Sequence, residues 1–125
     1  AGTTALMVAS RKGHAACALA LLEHGAAVNH ADDQGNTALS LASQEGHAAC
    51  VTVLLEHGAA VNHANQAGTT ALMLTSQKGH AVCASILFER LPLVNHADDA
   101  GNTALSLASL EGHTACVTVL LEHGA

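Results

Sequence analysis

"GNTALSLASQEGHAACVTVLLEHGA" (Gly35–Ala59) is written a second time as "GNTALSLASLEGHTACVTVLLEHGA" (Gly101–Ala125), with only Gln44 changed to Leu110 and Ala48 to Thr114. The two copies lie 66 residues apart, and a finer period runs beneath them. Cys17, Cys50, Cys83 and Cys116 recur every 33 residues, as do Gly2, Gly35, Gly68 and Gly101. The pairs Gly13-His14, Gly46-His47, Gly79-His80 and Gly112-His113 follow the same spacing, and so do Asn29, Asn62 and Asn95. A period of this length means stacked supersecondary units, each unable to bury its apolar face alone.

One unit reads as a turn and two helices. In "DDQGNT" (Asp32–Thr37), Asp and Gly suit a turn that needs side-chain capping and positive φ. Thr37 is placed to cap a first helix over about Ala38–Glu45, and Gly46 to end it in the left-handed region. His47 opens a second helix, in which Cys50, Val51, Val53, Leu54 and Leu55 supply a broad apolar surface ending near Gly58. "AAVNHA" returns the chain to the next turn.

Composition agrees with close helix packing. Half of the 125 residues are apolar, yet there is one Phe and no Trp or Tyr. Ala, Leu and Val must fill the core, and small side chains pack well only when helices approach closely. β-Sandwiches and barrels draw on more β-branched and aromatic residues.

The formal charge of −6, with four Lys and Arg, argues against nucleic acid as a partner. No apolar run reaches the length of a membrane span, and the start does not resemble a signal peptide. The evenly spaced cysteines read as a buried row of reduced thiols, which points to a reducing compartment, cytoplasmic or nuclear.

The register of "G-x-T-x-L", "G-H", "L-L-E-H-G-A" and "V-N" through four consecutive units resembles the ankyrin-repeat family. The resemblance implies an all-α solenoid of stacked helix-turn-helix units linked by β-hairpin-like turns. It covers one array over residues 1–125, with units at about 1–31, 32–64, 65–97 and 98–125. Two family positions depart. The Pro of the T-P-L-H motif is Ala5, Ala38, Ala71 and Ala104, and its His is Met7, Ser40, Met73 and Ser106. Those losses remove a preset φ and a side-chain hydrogen bond, and imply a less rigid array.

Units one and three share "GTTALM", and units two and four share "GNTALSLAS", so the halves are identical at about three-quarters of positions. Recent duplication of a two-unit block and deliberate construction both fit. Unit three breaks the pattern in "LFERLPLVNH" (Leu87–His96), where Leu91-Pro92 replaces the helix-ending Gly. Leu91 and Leu93 are expected to pack locally rather than form an exposed patch. Neither terminal unit carries a polar outer face, which reads as an excerpt of a longer array or as ends covered by a partner or another copy.

Each His-x-x-Cys pair, such as His14 and Cys17, spans one helical turn and has ligand types a transition metal accepts. Spread along a stack, the four pairs do not converge on one ion, and no metal or other cofactor is expected. In the family the His orders the helix start through local hydrogen bonds. His24, His57 and His123 form one row and His30, His63 and His96 another, read as solvated surface. No nucleophile, base and orienting group occur together and no phosphate loop exists, so no catalytic residues and no enzymatic activity are expected.

The resemblance implies a protein or peptide partner on a concave groove lined by turn tips and first-helix ends. By motif these are Thr3, Arg11 and Lys12 in unit one, and Asp33, Gln34, Asn36, Gln44 and Glu45 in unit two. Unit three contributes Gln66, Ala67, Thr69, Gln77 and Lys78, and unit four Asp99, Ala100, Asn102, Leu110 and Glu111. The resemblance also implies asparaginyl hydroxylation at Asn29, Asn62 and Asn95, although the usual acidic residue before Val is Ala27, Ala60 and Leu93. The different-class alternative is a structural scaffold without a natural ligand, self-associating through its uncapped ends.

Overall fold

Thr4, Thr37, Thr70 and Thr103 each stand in extended conformation just ahead of a helix, and their hydroxyls accept a backbone N–H three residues on. Thr37 Oγ1 takes Ser40 N–H at 3.3 Å, while Ser40 Oγ accepts Thr37 N–H at 2.7 Å. The same reciprocal box joins Thr103 and Ser106. In units two and four, therefore, the Ser replacing the family's His restores a cap at the helix start. Met7 and Met73, at the matching positions, are buried and fill the core.

These caps open the first helix of each pair in the computed structural model, which describes residues 2–90 and 92–125. The pairs are α1 (Ala5–Lys12) with α2 (Ala15–Glu23), and α3 (Ala38–Glu45) with α4 (Ala48–Glu56). They continue with α5 (Ala71–Lys78) and α6 (Ala81–Phe88), then α7 (Ala104–Leu110) and α8 (Thr114–Glu122). No strand occurs among the described residues, so the architecture is all-α. Helices of two turns are not stable alone, and each is held by its neighbours. First helices stack in the order α1, α3, α5, α7, second helices in the order α2, α4, α6, α8, and each pair packs together across the layers.

The core runs between the layers. Ala18, Ala42, Ala84 and Ala108 are fully buried, and this smallness lets the helices approach closely. Leu54, Leu87 and Leu120 fill the spaces beside them, with Cys50, Cys83 and Cys116. Burial pushes these three thiols above their ordinary pKa, which keeps them protonated and poorly reactive. Cys17 corrects the expectation of a fully buried row. It is exposed, whereas its three later counterparts are buried.

The connections repeat one turn. Asp32 Oδ1 accepts the N–H groups of Gln34 and Asn36, both at 2.9 Å. Asn65 does the same for Ala67 and Thr69, and Asp98 for Ala100 and Asn102. Adjacent turns are tied by backbone bonds, Gln66 N–H to Gln34 O at 3.0 Å and Asp99 N–H to Ala67 O at 2.9 Å.

Leu93 also departs from expectation. It is 57% exposed, held by a bond from its N–H to Asn62 Oδ1 at 2.7 Å rather than by side-chain packing. Leu91 lies outside the described residues. Pro92 is buried beside it.

Candidate interaction surface

Two of the three histidine rows do more than meet solvent: one ties a unit to the one before, and the other closes the end of a unit onto its own opening turn. No side-chain bond of its own occupies His80 or His113 at the helix start, so each ring is free to reach outward. His80 Nε2 donates to Gln44 O at 3.1 Å and His113 Nε2 to Gln77 O at 3.0 Å. These bonds cross between units, where local hydrogen bonding was expected. The second row acts within a unit: His30, His63 and His96, near the end of their units, donate to the carbonyls of Gly2, Gly35 and Gly68 in the turn that opens the same unit, at 2.8–3.0 Å. The expectation of a solvated row holds better for His24, His57 and His123, which are exposed and bond only four residues back. Even so, His123 stacks on Phe88 with ring centroids 4.1 Å apart.

The glycine preceding each helix-start His is the seat for the next unit's ring. Gly46 has φ +75°, and a Cβ built there would lie 2.5 Å from His80 Nδ1. Both the left-handed backbone and the approaching ring exclude a side chain.

The residues expected to line the groove are brought into two rows rather than one cluster. One row follows the C-terminal ends of the first helices: Arg11 and Lys12, then Gln44 and Glu45, Gln77 and Lys78, and Leu110 and Glu111. The other follows the turn tips: Asp33, Gln34 and Asn36, then Gln66 and Thr69, then Asp99 and Asn102. An eight-residue helix separates the rows by about 12 Å. Arg11, Lys12, Asp33, Gln34, Glu45, Gln66, Lys78, Asp99, Leu110 and Glu111 are exposed, while Asn36, Gln44, Thr69, Gln77 and Asn102 are half-buried.

The tips are partly committed to the array itself. Gln66 Nε2 donates to Asp33 O at 2.6 Å, and Asn65 Nδ2 to Asn36 Oδ1 at 3.1 Å. The helix-end row is freer. Along it the charges alternate as Lys12, Glu45, Lys78 and Glu111, and Leu110, 77% exposed, adds an apolar contact. Lysines suit a helix C-terminus, but a carboxylate there opposes the helix dipole at a cost of roughly 0.3–1 kcal/mol. Glu45 and Glu111 therefore gain nothing from their own helices.

An open cleft of about 340 Å³ adjoins this row between units two and three, lined by Gly46, Gly79, His80, Ala81, Val82 and Cys83. Sequence reasoning missed it. Its only signal is Val82, where the other units carry Ala16, Ala49 and Ala115.

Asn29 and Asn62, two of the positions implied for hydroxylation, hold the next connection. Asn29 Oδ1 accepts Ala60 N–H at 2.8 Å and its Nδ2 donates to Gly58 O at 3.2 Å. Asn95 is exposed in the last connection. Among the described residues no three of His, Cys, Asp and Glu come together to hold a metal ion. No helix there is long and apolar enough to cross a membrane.

The family model for ankyrin repeats, written as three copies, matches residues 1–65 and again 60–125. Among curated proteins none matches the chain.

Proposed function

The chain belongs to the ankyrin-repeat family, whose members serve generally as non-catalytic protein–protein interaction modules, and from that premise we propose that this array binds a protein or peptide along a concave groove between its two residue rows. One observation carries the reading. Units two and four are near copies over Gly35–Ala59 and Gly101–Ala125, and one of their two differences there, Gln44 against Leu110, falls on the helix-end row that also carries Arg11 and Gln77. Packing does not explain that difference, because the core residues of the two copies, Ala42 and Ala108, Cys50 and Cys116, Leu54 and Leu120, are the same. A partner reading the line would meet alternating charge along its length and an apolar contact at the Leu110 end. Its charged positions set register and its apolar anchor supplies affinity.

The test is selection of peptides from a displayed library on the intact chain, followed by titration against a Leu110→Ala, Gln77→Ala double variant. Affinity about ten-fold weaker in the variant is expected, the loss typical of truncated anchor residues. Unchanged affinity for every selected peptide would remove the helix-end row from the reading.

A cytoplasmic or nuclear setting suits the free cysteines. Hydroxylation at Asn29, Asn62 or Asn95 would appear in intact mass after incubation with an asparaginyl hydroxylase. A second reading, a scaffold without a ligand, is favoured by the 66-residue duplication, which copies packing residues more faithfully than the exposed row.

A further inference from the structure

Two side chains beside one cleft break local rules that the rest of the array obeys. Val82, in the first turn of α6, is 67% exposed, and Ala16, Ala49 and Ala115 hold its place in the other units. Val is a poorer helix former than Ala, because its branched Cβ crowds the preceding turn. Exposed as it is, Val82 gains little burial to offset that. Glu45 ends α3 with a carboxylate at the negative end of the helix dipole. Such breaks, in units that otherwise repeat their packing, are where function is expected to override local preference.

Both residues stand at the cleft between units two and three. Gly46, next to Glu45, lines it from unit two; Gly79, next to Lys78, lines it from unit three with His80 and Val82. The bond from His80 Nε2 to Gln44 O, at 3.1 Å, ties the two units together beside it, so the cleft is formed before any partner arrives. At about 340 Å³ it has room for a large apolar side chain. Glu45 and Lys78 are exposed, and among the described residues neither makes an ion pair or a side-chain hydrogen bond. Helices α3 and α5 pack on each other. Packed helices lie about 8–10 Å apart, so the two opposite charges are held at roughly that separation with the cleft beside them.

An α-helix matches that order of chemistry. Its residues i, i+3, i+4 and i+7 share one face, and i to i+7 spans about 10.5 Å. A strand places same-face residues about 7 or 14 Å apart, too short or too long for these two charges. We propose that the cleft and the charges beside it seat an amphipathic helix of a partner protein, a site that rests on the peptide-binding reading above and narrows it. A Lys or Arg of that helix faces Glu45, and an Asp or Glu seven residues along faces Lys78. An apolar residue between them enters the cleft against Val82. Opposite charge sets the register of the helix, and burial of its apolar residue holds it.

Fluorescence anisotropy with three labelled, alanine-based helical peptides of about 18 residues tests this, at about 0.15 M salt to screen the net charge of the chain. All three carry Leu at i+3 and i+4. One has Lys at i and Glu at i+7, one has Lys at both places and one has Glu at both. The unaltered chain is expected to bind the mixed peptide about ten-fold more tightly than either of the others. Glu45→Lys should transfer the preference to the all-Glu peptide, and Lys78→Glu to the all-Lys peptide, gains that an unfolded chain does not show. Val82→Ala, which copies the residue of the other units, should weaken the mixed peptide about ten-fold with the far-ultraviolet circular dichroism unchanged. No binding of the mixed peptide, equal affinity for all three, or preferences unmoved by both charge reversals overturns the helix site. So does unchanged affinity in Val82→Ala. The peptides selected from the displayed library separate this from the groove reading. If they bind the array and ignore all three substitutions, the groove stands and the helix site falls. If the library yields no binder and the mixed peptide is silent, both fall.

Discussion

Replacing Gly46 and Gly112 by Ala separates the cost of a left-handed backbone from the cost of evicting a histidine. Both glycines end a first helix, at φ +75° and +74°. Ala in that region costs roughly 1–2 kcal/mol, partly offset by about 0.4–1 kcal/mol from a less free unfolded chain. Gly112→Ala meets nothing within 4 Å, so about 1 kcal/mol is expected. Gly46→Ala places a methyl 2.5 Å from His80 Nδ1, and the ring must leave. That forfeits the 3.1 Å bond to Gln44 O, worth about 1 kcal/mol, and repacks the junction at a further 1–3 kcal/mol or so. A total of about 3–5 kcal/mol is therefore expected for Gly46→Ala. Urea unfolding followed by circular dichroism measures both. In a His80→Ala background the cost of Gly46→Ala should fall to about that of Gly112→Ala. Equal costs for the two glycines with His80 present would refute the seat as a source of stability.

Ser43 Oγ is buried without a hydrogen-bond partner, whereas Ser76 Oγ donates to Leu72 O at 2.7 Å. Ser43→Ala is expected to raise stability by about 1 kcal/mol and Ser76→Ala to lower or leave it, both read from the urea midpoint. Asp98 is held below the usual carboxylate range chiefly by the Asn102 N–H, against opposing desolvation, with further help from the Asn102 side chain and the Ala100 and Gly101 N–H groups. A carboxylate with a depressed folded pKa contributes stability above its unfolded pKa and loses it as pH falls through the folded one. Asp98→Asn keeps the turn, as Asn65 does one unit earlier, but loses the charge-assisted part of it, so thermal melting should lie below the parent at neutral pH, fall less steeply on acidification and converge on the parent once Asp98 is protonated. Asn29→Ala leaves Ala60 N–H without its 2.8 Å partner and should cost roughly 0.5–1.5 kcal/mol in urea unfolding.

Much of the fold could be read locally. Thr37 caps the helix three residues ahead of Ser40, and Gly46 ends it; both effects act within one turn of chain. The predicted first helix, Ala38–Glu45, is the one observed. The candidate surface was legible as a set of positions and not as an arrangement. Motif register named Gln44, Gln77 and Leu110, but Gln44 and Gln77 are overlaid by His80 and His113 of the next unit while Leu110 is exposed, a difference register does not show. Leu93 was misjudged because its hold is its own N–H donated to the side-chain oxygen of Asn62, 31 positions away.

The 33-residue period, the caps and the small core residues are properties of the amino-acid sequence by itself, and they determined the helix pairs and the stacking. They are local because helix starts and stops are decided by hydrogen bonds within a few residues. Tertiary structure alone decided where each histidine ring goes, which of four equivalent cysteines is exposed, and which glycine remains an open seat. Identical residues such as Leu55 and Leu121 carry identical local instructions. Their environments diverge because burial depends on what stacks against them, and a repeat does not encode its own neighbour.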